Sequence, residues 1–319
     1  MKSVIRLLAL FALSFACHAQ DAYPARPIRL VVPYPPGGVG DAVARMIAPG
    51  WSAALRQPIV IENRGGAGSN IGLDAVAKAA PDGYTIALFD TALATNPSLY
   101  PSMPFDAQRD LAPISLIARG PLVLVVNPAF PAKSVGELVA MAKAKPGAIT
   151  YASAGNGTPV HLAAEMLKTS AGIDLVHVPY KGAGPAVTDV LGGQVPVLFA
   201  VPGTAIPHIS AGKFRAIGIT GDARFKSLPN VPTFAEQGIQ GVDGTIIIGF
   251  AAPAKTPRAI VTQLYETLTK VLATNEVTDR LNEFGLTVVA ADPERSARLL
   301  ADETALWAKV VKNAGVKLE

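Results

Sequence analysis

The chain has 319 residues, with 28 Lys and Arg against 24 Asp and Glu, and one cysteine. A net charge of +4, with no basic cluster and little aromatic interleaving, excludes a clamp for nucleic acid. Its Asp, Glu and His residues show no metal-ligand spacing, so no metal or other cofactor is expected.

Lys2 and Arg6 flank the start of an apolar run, Leu7–Ala16, that leads into the small-residue site Cys17-His18-Ala19. This predicts a signal peptide over residues 1–20, cleaved after about Ala19, and places the mature chain in the periplasm. The run is too short for a bilayer, which takes roughly 20 residues. Lipid attachment at Cys17 is the alternative, although Ser14-Phe15-Ala16 is a poor approach to a lipidated cysteine. Cleavage removes the single cysteine and leaves 26 basic against 24 acidic residues. A chain of about 300 residues without disulfides is large enough to be held by its core alone. That length suggests about two domains.

From Tyr23 onward short β-branched runs alternate with helical segments across Gly/Pro punctuation. Ile28–Val32 is predicted as a buried strand ended by Pro33, Pro35 and Pro36, with a helix over Asp41–Leu55 after it. Pro49-Gly50 falls inside that helix. An interior proline costs about 3 kcal/mol, so a kink or break is expected there. Strand Ile59–Glu62, helix Asn70–Ala79 and strand Thr85–Phe89 follow, the last after a Pro81-Asp82-Gly83 turn. Leu122–Val126 is the next strand, and Ser134-Val135-Gly136-Glu137 has capping-box spacing for a helix reaching about Lys145. Strands Ile149–Ala152, Leu175–Val178, Val195–Phe199 and Phe214–Thr220 then alternate with helices Pro159–Ala171, Pro185–Leu191 and Ala205–Ala211. Thr158-Pro159 and Gly184-Pro185 put proline at the first helical position. Such alternation argues for an α/β fold with parallel sheets covered on both faces.

Residues 222–244 read as a long irregular connection to a strand at Thr245–Ala251. Three helices follow, Pro257–Thr274, Val277–Phe284 and Pro293–Asn313, with cap-then-proline starts at Thr256-Pro257 and Asp292-Pro293. They are expected to pack back onto the first domain. This gives a first lobe of 21–121 with 222–319 and a second of 122–221, crossing near Arg119–Leu122 and Thr220–Asp222. Two crossings make a hinge.

Two stretches carry chemistry. In Val31–Asp41 (VVPYPPGGVGD) a strand runs through a bare Pro/Gly turn into a helix start. Such a turn aims free N–H groups and the positive end of a helix dipole at one point, an anion site without a charged side chain. The device recurs at Ala152–His161 (ASAGNGTPVH), and two such turns face to face would hold a small carboxylate. Gly66-Ala67-Gly68 with Gly72 spells GxGxxxG rather than the dinucleotide GxGxxG, after a polar Glu62-Asn63-Arg64. Ser153, His161 and Asp189 offer an exported hydrolase as the competing class, but no G-x-S-x-G elbow exists. Asp41 and Asp189 are expected to cap or bond internally, and Arg45, one helical turn beyond Asp41, to pair with it. Arg26, Arg29 and Arg64 also lie outside both turns, so recognition is expected from backbone N–H and small hydroxyls.

An ordered motif set extends these turns. It comprises Tyr23-Pro24 with Arg26-Pro27-Ile28, Val32–Gly38, Asp41 with Ala44-Arg45, and Glu62-Asn63-Arg64 with Gly66-Ala67-Gly68 and Ile71-Gly72. Pro81–Thr85, Tyr151–Ser153, Gly155–Thr158, His161–Ala163 and His177–Gly182 complete it. Over essentially the whole mature chain this resembles the Bug family, the extracytoplasmic solute receptors of tripartite tricarboxylate transporters. The resemblance implies a two-lobed type II periplasmic-binding-protein fold, each lobe a mainly parallel sheet flanked by helices, with the ligand in the interlobe cleft. It implies a monomeric receptor for a small organic carboxylate, membrane transporter subunits as partners, and no catalysis. Two facing loops would grip one carboxylate, partly through water: Tyr34, Pro36, Gly37, Gly38, Val39 and Gly40, and Ser153, Ala154, Gly155, Asn156, Gly157, Thr158 and His161. Thr91, Ala92 and Asn96, Lys181, and Phe199, Ala200 and Val201 would line the rest. A sensor role, with the closed form read by a signalling kinase, is a further alternative. Two features depart from the family: Pro49-Gly50, and Ile246–Phe250 (IIIGF) where a tryptophan-containing segment is common. The second hints at an aromatic or aliphatic acid rather than citrate.

Overall fold

The computed structural model describes residues 23–242 and 244–316. The predicted signal peptide and Cys17 lie outside the described residues. The first lobe opens with β1 (Ile28–Val32), α1 (Val39–Leu55), β2 (Ile59–Asn63), α2 (Asn70–Ala77), β3 (Thr85–Asp90), α3 (Ala92–Leu99) and β4 (Leu111–Pro121). The second holds β5 (Val123–Val126), α4 (Val135–Ala144), β6 (Thr150–Ser153), α5 (Pro159–Ala171), β7 (Val176–Pro179), α6 (Ala183–Leu191), β8 (Val197–Ala200), α7 (Pro202–Ser210) and β9 (Arg215–Ile219). The chain returns with β10 (Thr245–Pro253), α8 (Arg258–Leu272), α9 (Asn275–Glu283), β11 (Thr287–Val288) and α10 (Pro293–Ala314).

The two sheets repeat one plan. Their strand orders are β11-β4-β10-β3-β1-β2 and β7-β6-β8-β5-β9. In each, three parallel strands run second-first-third, and an antiparallel strand then separates the third from the fourth. That inserted strand, β5 or β10, is the one on which the chain has just arrived from the other lobe. The sheets are therefore mixed, with most strands sharing one direction, because a returning chain enters from the opposite edge. β1 shows why the central strands are read so readily: Ile28, Leu30, Val31 and Val32 are all fully buried between helical layers.

Helix α1 runs unbroken through Pro49-Gly50, against the expected interruption. Ile47, Trp51 and Leu55 are buried on one face. At about 1.5–3 kcal/mol for each such side chain, their burial outweighs the roughly 3 kcal/mol cost of the proline. Trp51 packs 5.0 Å from Phe250, and its Nε1 donates to Thr267 Oγ1 at 3.0 Å. Gly50 lets α8 approach so closely that a Cβ there would stand 2.9 Å from Val271 Cγ1. Ser134 and Asp292 cap their helices as expected, accepting from Glu137 N and Arg295 N. Thr256 does not, since α8 begins at Arg258, and Pro185 is the third residue of α6 rather than the first.

The second crossing lies further along than residues 220–222. Phe225, Leu228 and Val231 are buried with Val123, Val125 and Phe214 of the second lobe, and Thr233 bridges Ile219. Gln237 accepts from Val135 N and donates to Ile217 O, both at 3.0 Å. Residues 222–242 thus belong to the second lobe, a correction to the boundary at 222, and the chain recrosses at Gly244. Leu122, between β4 and β5, is the other crossing point. Thr220 clasps both: its N–H donates to Leu122 O at 2.9 Å, its Oγ1 accepts from Leu122 N at 2.8 Å, and its hydroxyl donates to Gly244 O. Helix α10 packs on α3 and β4 of the first lobe and on α5 of the second, with Trp307 fully buried.

Candidate ligand-binding cleft

In both sheets the parallel strands end at the edge facing the other lobe, the side where open α/β sheets bind ligands. Five strand-to-helix turns meet there, those leading into α1, α3, α5, α6 and α7. Between them lies a cavity of about 260 Å³. The first lobe supplies Tyr34, Val39, Gly40, Asp90 and Thr91, and the second Ala154, Thr158, Pro159, Val160, Ala183, Val187, Leu198–Val201 and Thr204. The returning strand β10 adds Ile246, Ile247 and Ile248.

None of the five N-cap residues, Gly38, Thr91, Thr158, Gly182 and Val201, caps its helix with its own side chain, although Asp90 takes the first N–H of α3. The first N–H groups of a helix have no partner within it, and each helix start carries roughly half a positive charge. Among the described residues no Lys, Arg or His lines the cavity. Its positive potential therefore comes from backbone dipoles, and its walls are otherwise mostly apolar. No group of His, Cys, Asp and Glu able to hold a metal ion occurs among the described residues.

The first turn is braced from behind by Asp41, which is buried. Its carboxylate accepts from Gly37 N at 3.0 Å, Asn63 Nδ2 at 2.8 Å and Arg45 Nε at 2.9 Å. Asn63 also donates to Tyr34 O, which ties the turn to β2. The Arg45 guanidinium, with the Gly37 and Asn63 donors, holds the Asp41 carboxyl down at about 2. Because Gly37 gives its N–H to Asp41, and Pro36 has none, the turn faces the cavity through Val39 and Gly40. Pro36, Gly37 and Gly38 stand outside the lining.

The second turn is braced by neutral groups. His161 Nδ1 accepts from Gly157 N at 3.0 Å. Ser153 Oγ meets His177 Nε2 at 2.6 Å and accepts from Gly155 N at 3.1 Å, while the Thr158 hydroxyl donates to Gly155 O at 2.7 Å. The rings of His161 and His177 stack 4.0 Å apart, with Tyr151 against His177 at 4.9 Å. Tyr151 Oη donates to Glu165 Oε1 at 2.6 Å, and Lys168 pairs with the same oxygen at 2.9 Å. Burial, with His177 and Lys168 adding to it, pushes His161 down to about 3, so the ring stays neutral.

The expected lining residues thus separate into two groups. Tyr34, Val39, Gly40, Thr91, Ala154, Thr158, Phe199, Ala200 and Val201 face the cavity. Ser153, Gly155, Gly157 and His161 form the frame beneath the second turn. Ser153 is fully buried and its histidine partner is His177, which corrects the Ser153/His161 pairing of the hydrolase alternative. Asn96 is buried and donates to Gly68 O and Asn70 Oδ1, so it holds the loop before α2 rather than the cleft. Ala92 gives its N–H to Asp90 Oδ1. Asn156 and Lys181 are exposed and lie off the cavity wall. Sequence reasoning missed Asp90, Ala183, Val187, Leu198 and Thr204; the signal for Asp90 was its place as the last residue of β3, directly before Thr91.

The model of the tripartite tricarboxylate transporter family receptor, TctC, matches residues 43–316. Protein BugT of Bordetella pertussis is 38% identical over 325 residues, covering 99% of this chain and 100% of BugT. Among solved structures, R. palustris Rpa4515 with adipate superposes with a TM-score of 0.84 at 35% identity, over 93% of this chain and 100% of that one. MatC (Rpa3494) from Rhodopseudomonas palustris with bound malate gives 0.79 at 31% identity, over 91% and 100%. Two lobes about a cleft, a full-length relative and a family model that spans most of the chain converge on one conclusion: the protein belongs to the Bug receptors of the tripartite tricarboxylate transporter family.

Proposed function

We propose that the protein is a periplasmic receptor that closes on a small organic acid with an apolar body and presents it to the membrane subunits of a tripartite transporter. The observation that carries this reading is the convergence of five helix starts, four of them without a side-chain cap, on a cavity with no cationic side chain among the described residues. The N–H groups of Val39, Gly40, Val160 and His161 are the donors for the carboxylate, and charge-assisted hydrogen bonds are roughly twice as strong as neutral ones. Ile246, Ile247, Ile248 and Phe199 surround the rest of the ligand. An aromatic or aliphatic acid suits such walls better than a tricarboxylate, whose extra charges would lose water without gaining a cation. The protein binds its ligand unchanged in this reading, which the full burial of Ser153 outside the cavity lining supports. It acts as a monomer after cleavage near Ala19.

A thermal-shift panel of mono-, di- and tricarboxylates, aromatic acids and neutral sugars on the mature chain tests the reading. A bound acid stabilises the folded state by about 2.7 kcal/mol at a hundredfold excess over Kd. Aliphatic or aromatic acids are expected to raise Tm most. A shift produced by sugars and by no carboxylate would overturn the proposal.

A further inference from the structure

Among the described residues, Asp90 is the one acidic residue in the wall of this anion-attracting cavity. It ends β3 and lies one strand over from the first turn, in register with Ile248 of β10. Its Oδ1 accepts the Ala92 N–H at 3.0 Å, and the Tyr34 hydroxyl lies beside the carboxyl. The Ala92 N–H and the Tyr34 hydroxyl take up two of the about four hydrogen bonds that a carboxylate accepts, so acceptor capacity remains. Two nearby hydroxyls have partners of their own. Thr91 Oγ1 accepts from Ile247 N at 3.0 Å, and the Thr158 proton goes to Gly155 O. Tyr34 is the titratable side chain facing Asp90 from the first turn, and β10 offers Ile248.

Resting on the reading of this cleft as a carboxylate receptor, we infer that Asp90 sets the ligand's second group. It selects an acid that carries a hydroxyl or other hydrogen-bond donor near its carboxylate, and it rejects one that carries a second carboxylate there. Adjacent strands are about 4.8 Å apart, so a group facing Asp90 lies two or three bonds from a carboxylate held at the first turn. A donor at that point completes the coordination of Asp90. A second anion meets a like charge with no cation in the lining, where low dielectric magnifies the repulsion. Burial pushes the Asp90 carboxyl above the usual carboxylate range, while the Tyr34 hydroxyl and the Ala92 N–H favour its ionised form.

Matched acids in two frames test this by calorimetry on the mature chain: hexanoate, 2-hydroxyhexanoate and butylmalonate, and phenylacetate, mandelate and phenylmalonate. In each frame that binds, the hydroxy acid is expected to bind about tenfold tighter than the parent and the malonate about tenfold weaker, each equal to about 1.4 kcal/mol. Asp90→Asn should bring the malonate up to the parent's affinity. A malonate that matches its parent in the natural protein, a measurement that needs no variant, overturns the inference. So does an Asn variant that folds and keeps the natural ratios. If none of the six acids binds, the carboxylate reading itself falls; if all bind with ratios near one, the role of Asp90 alone falls.

Discussion

The two turns that face each other across the cleft do the same work on different supports. The first is held by an ion, the Asp41 carboxylate, with Arg45 reaching it from the exposed side. The second is held by a neutral stack of buried His161 and Tyr151 with half-buried His177, and Ser153 and Glu165 are bonded to it. A carboxylate brace strengthens as pH rises above its pKa, whereas a buried neutral imidazole weakens as pH falls below the ordinary histidine value. The turns are alike in shape and opposite in what disturbs them.

The largest break in this comparison should come from Asp41→Ala. It strands the Gly37 and Asn63 donors, at a cost of about 1–3 kcal/mol. Urea unfolding is expected to show that loss, with ligand affinity falling alongside. Next is His161→Leu, which leaves the buried Gly157 N–H without an acceptor and should cost about 1–2 kcal/mol. His161→Asn keeps an acceptor and should recover part of the loss.

The pH response separates the two supports. His161 is pushed down to about 3 from 6.5. Between those values the unfolded chain holds a proton that the folded chain does not. Its contribution is therefore complete above about pH 6.5 and drains as pH falls, at no more than about 1.4 kcal/mol per pH unit for one proton. His177 is shifted downward by burial as well and acts in the same direction. Asp41 is held at about 2 from 3.8, so its contribution is complete above 3.8 and drains only below it. Lowering the pH from 7 to 5 should loosen residues 155–161 in hydrogen exchange and leave residues 37–45 protected. Equal loss of protection in both turns would contradict the contrast.

The glycines run from an effect of the same size to the smallest of all. Gly155 sits at φ +131° with Tyr180 O 3.2 Å from where a Cβ would be, whereas Gly38 has an extended backbone and open space. Gly155→Ala should lower stability by about 1–2 kcal/mol and Gly38→Ala by less than about 0.5 kcal/mol. Thermal unfolding of the pair checks both.

What the sequence made legible follows from where its signals are local. Ile28–Val32 and the bare turn after it announce themselves because strand, turn and helix start are each written within a few residues. β4 escaped because Pro113, Arg119, Gly120 and Pro121 break its apolar run, although its pairing with β10 sustains eleven residues of strand. α3 escaped because Pro97 and a weak apolar face hide a helix that packing against α10 supports. Residues 222–242 were placed with the wrong lobe because their anchors, Phe225, Leu228 and Gln237, touch partners some 20 to 100 positions away. In the cleft, the turns were readable, but the division between residues that face the cavity and those that brace it was not. That division is set by who receives each N–H, and Asp41 and His161 decide it by folding back onto their own turns.

Thr220 bears on how the lobes move. Both chain crossings are bonded to this one residue, so the two connections flex at a shared pivot rather than as separate tethers. Any closure of the lobes therefore bends both connections at once, whatever the shape of the molecule between them.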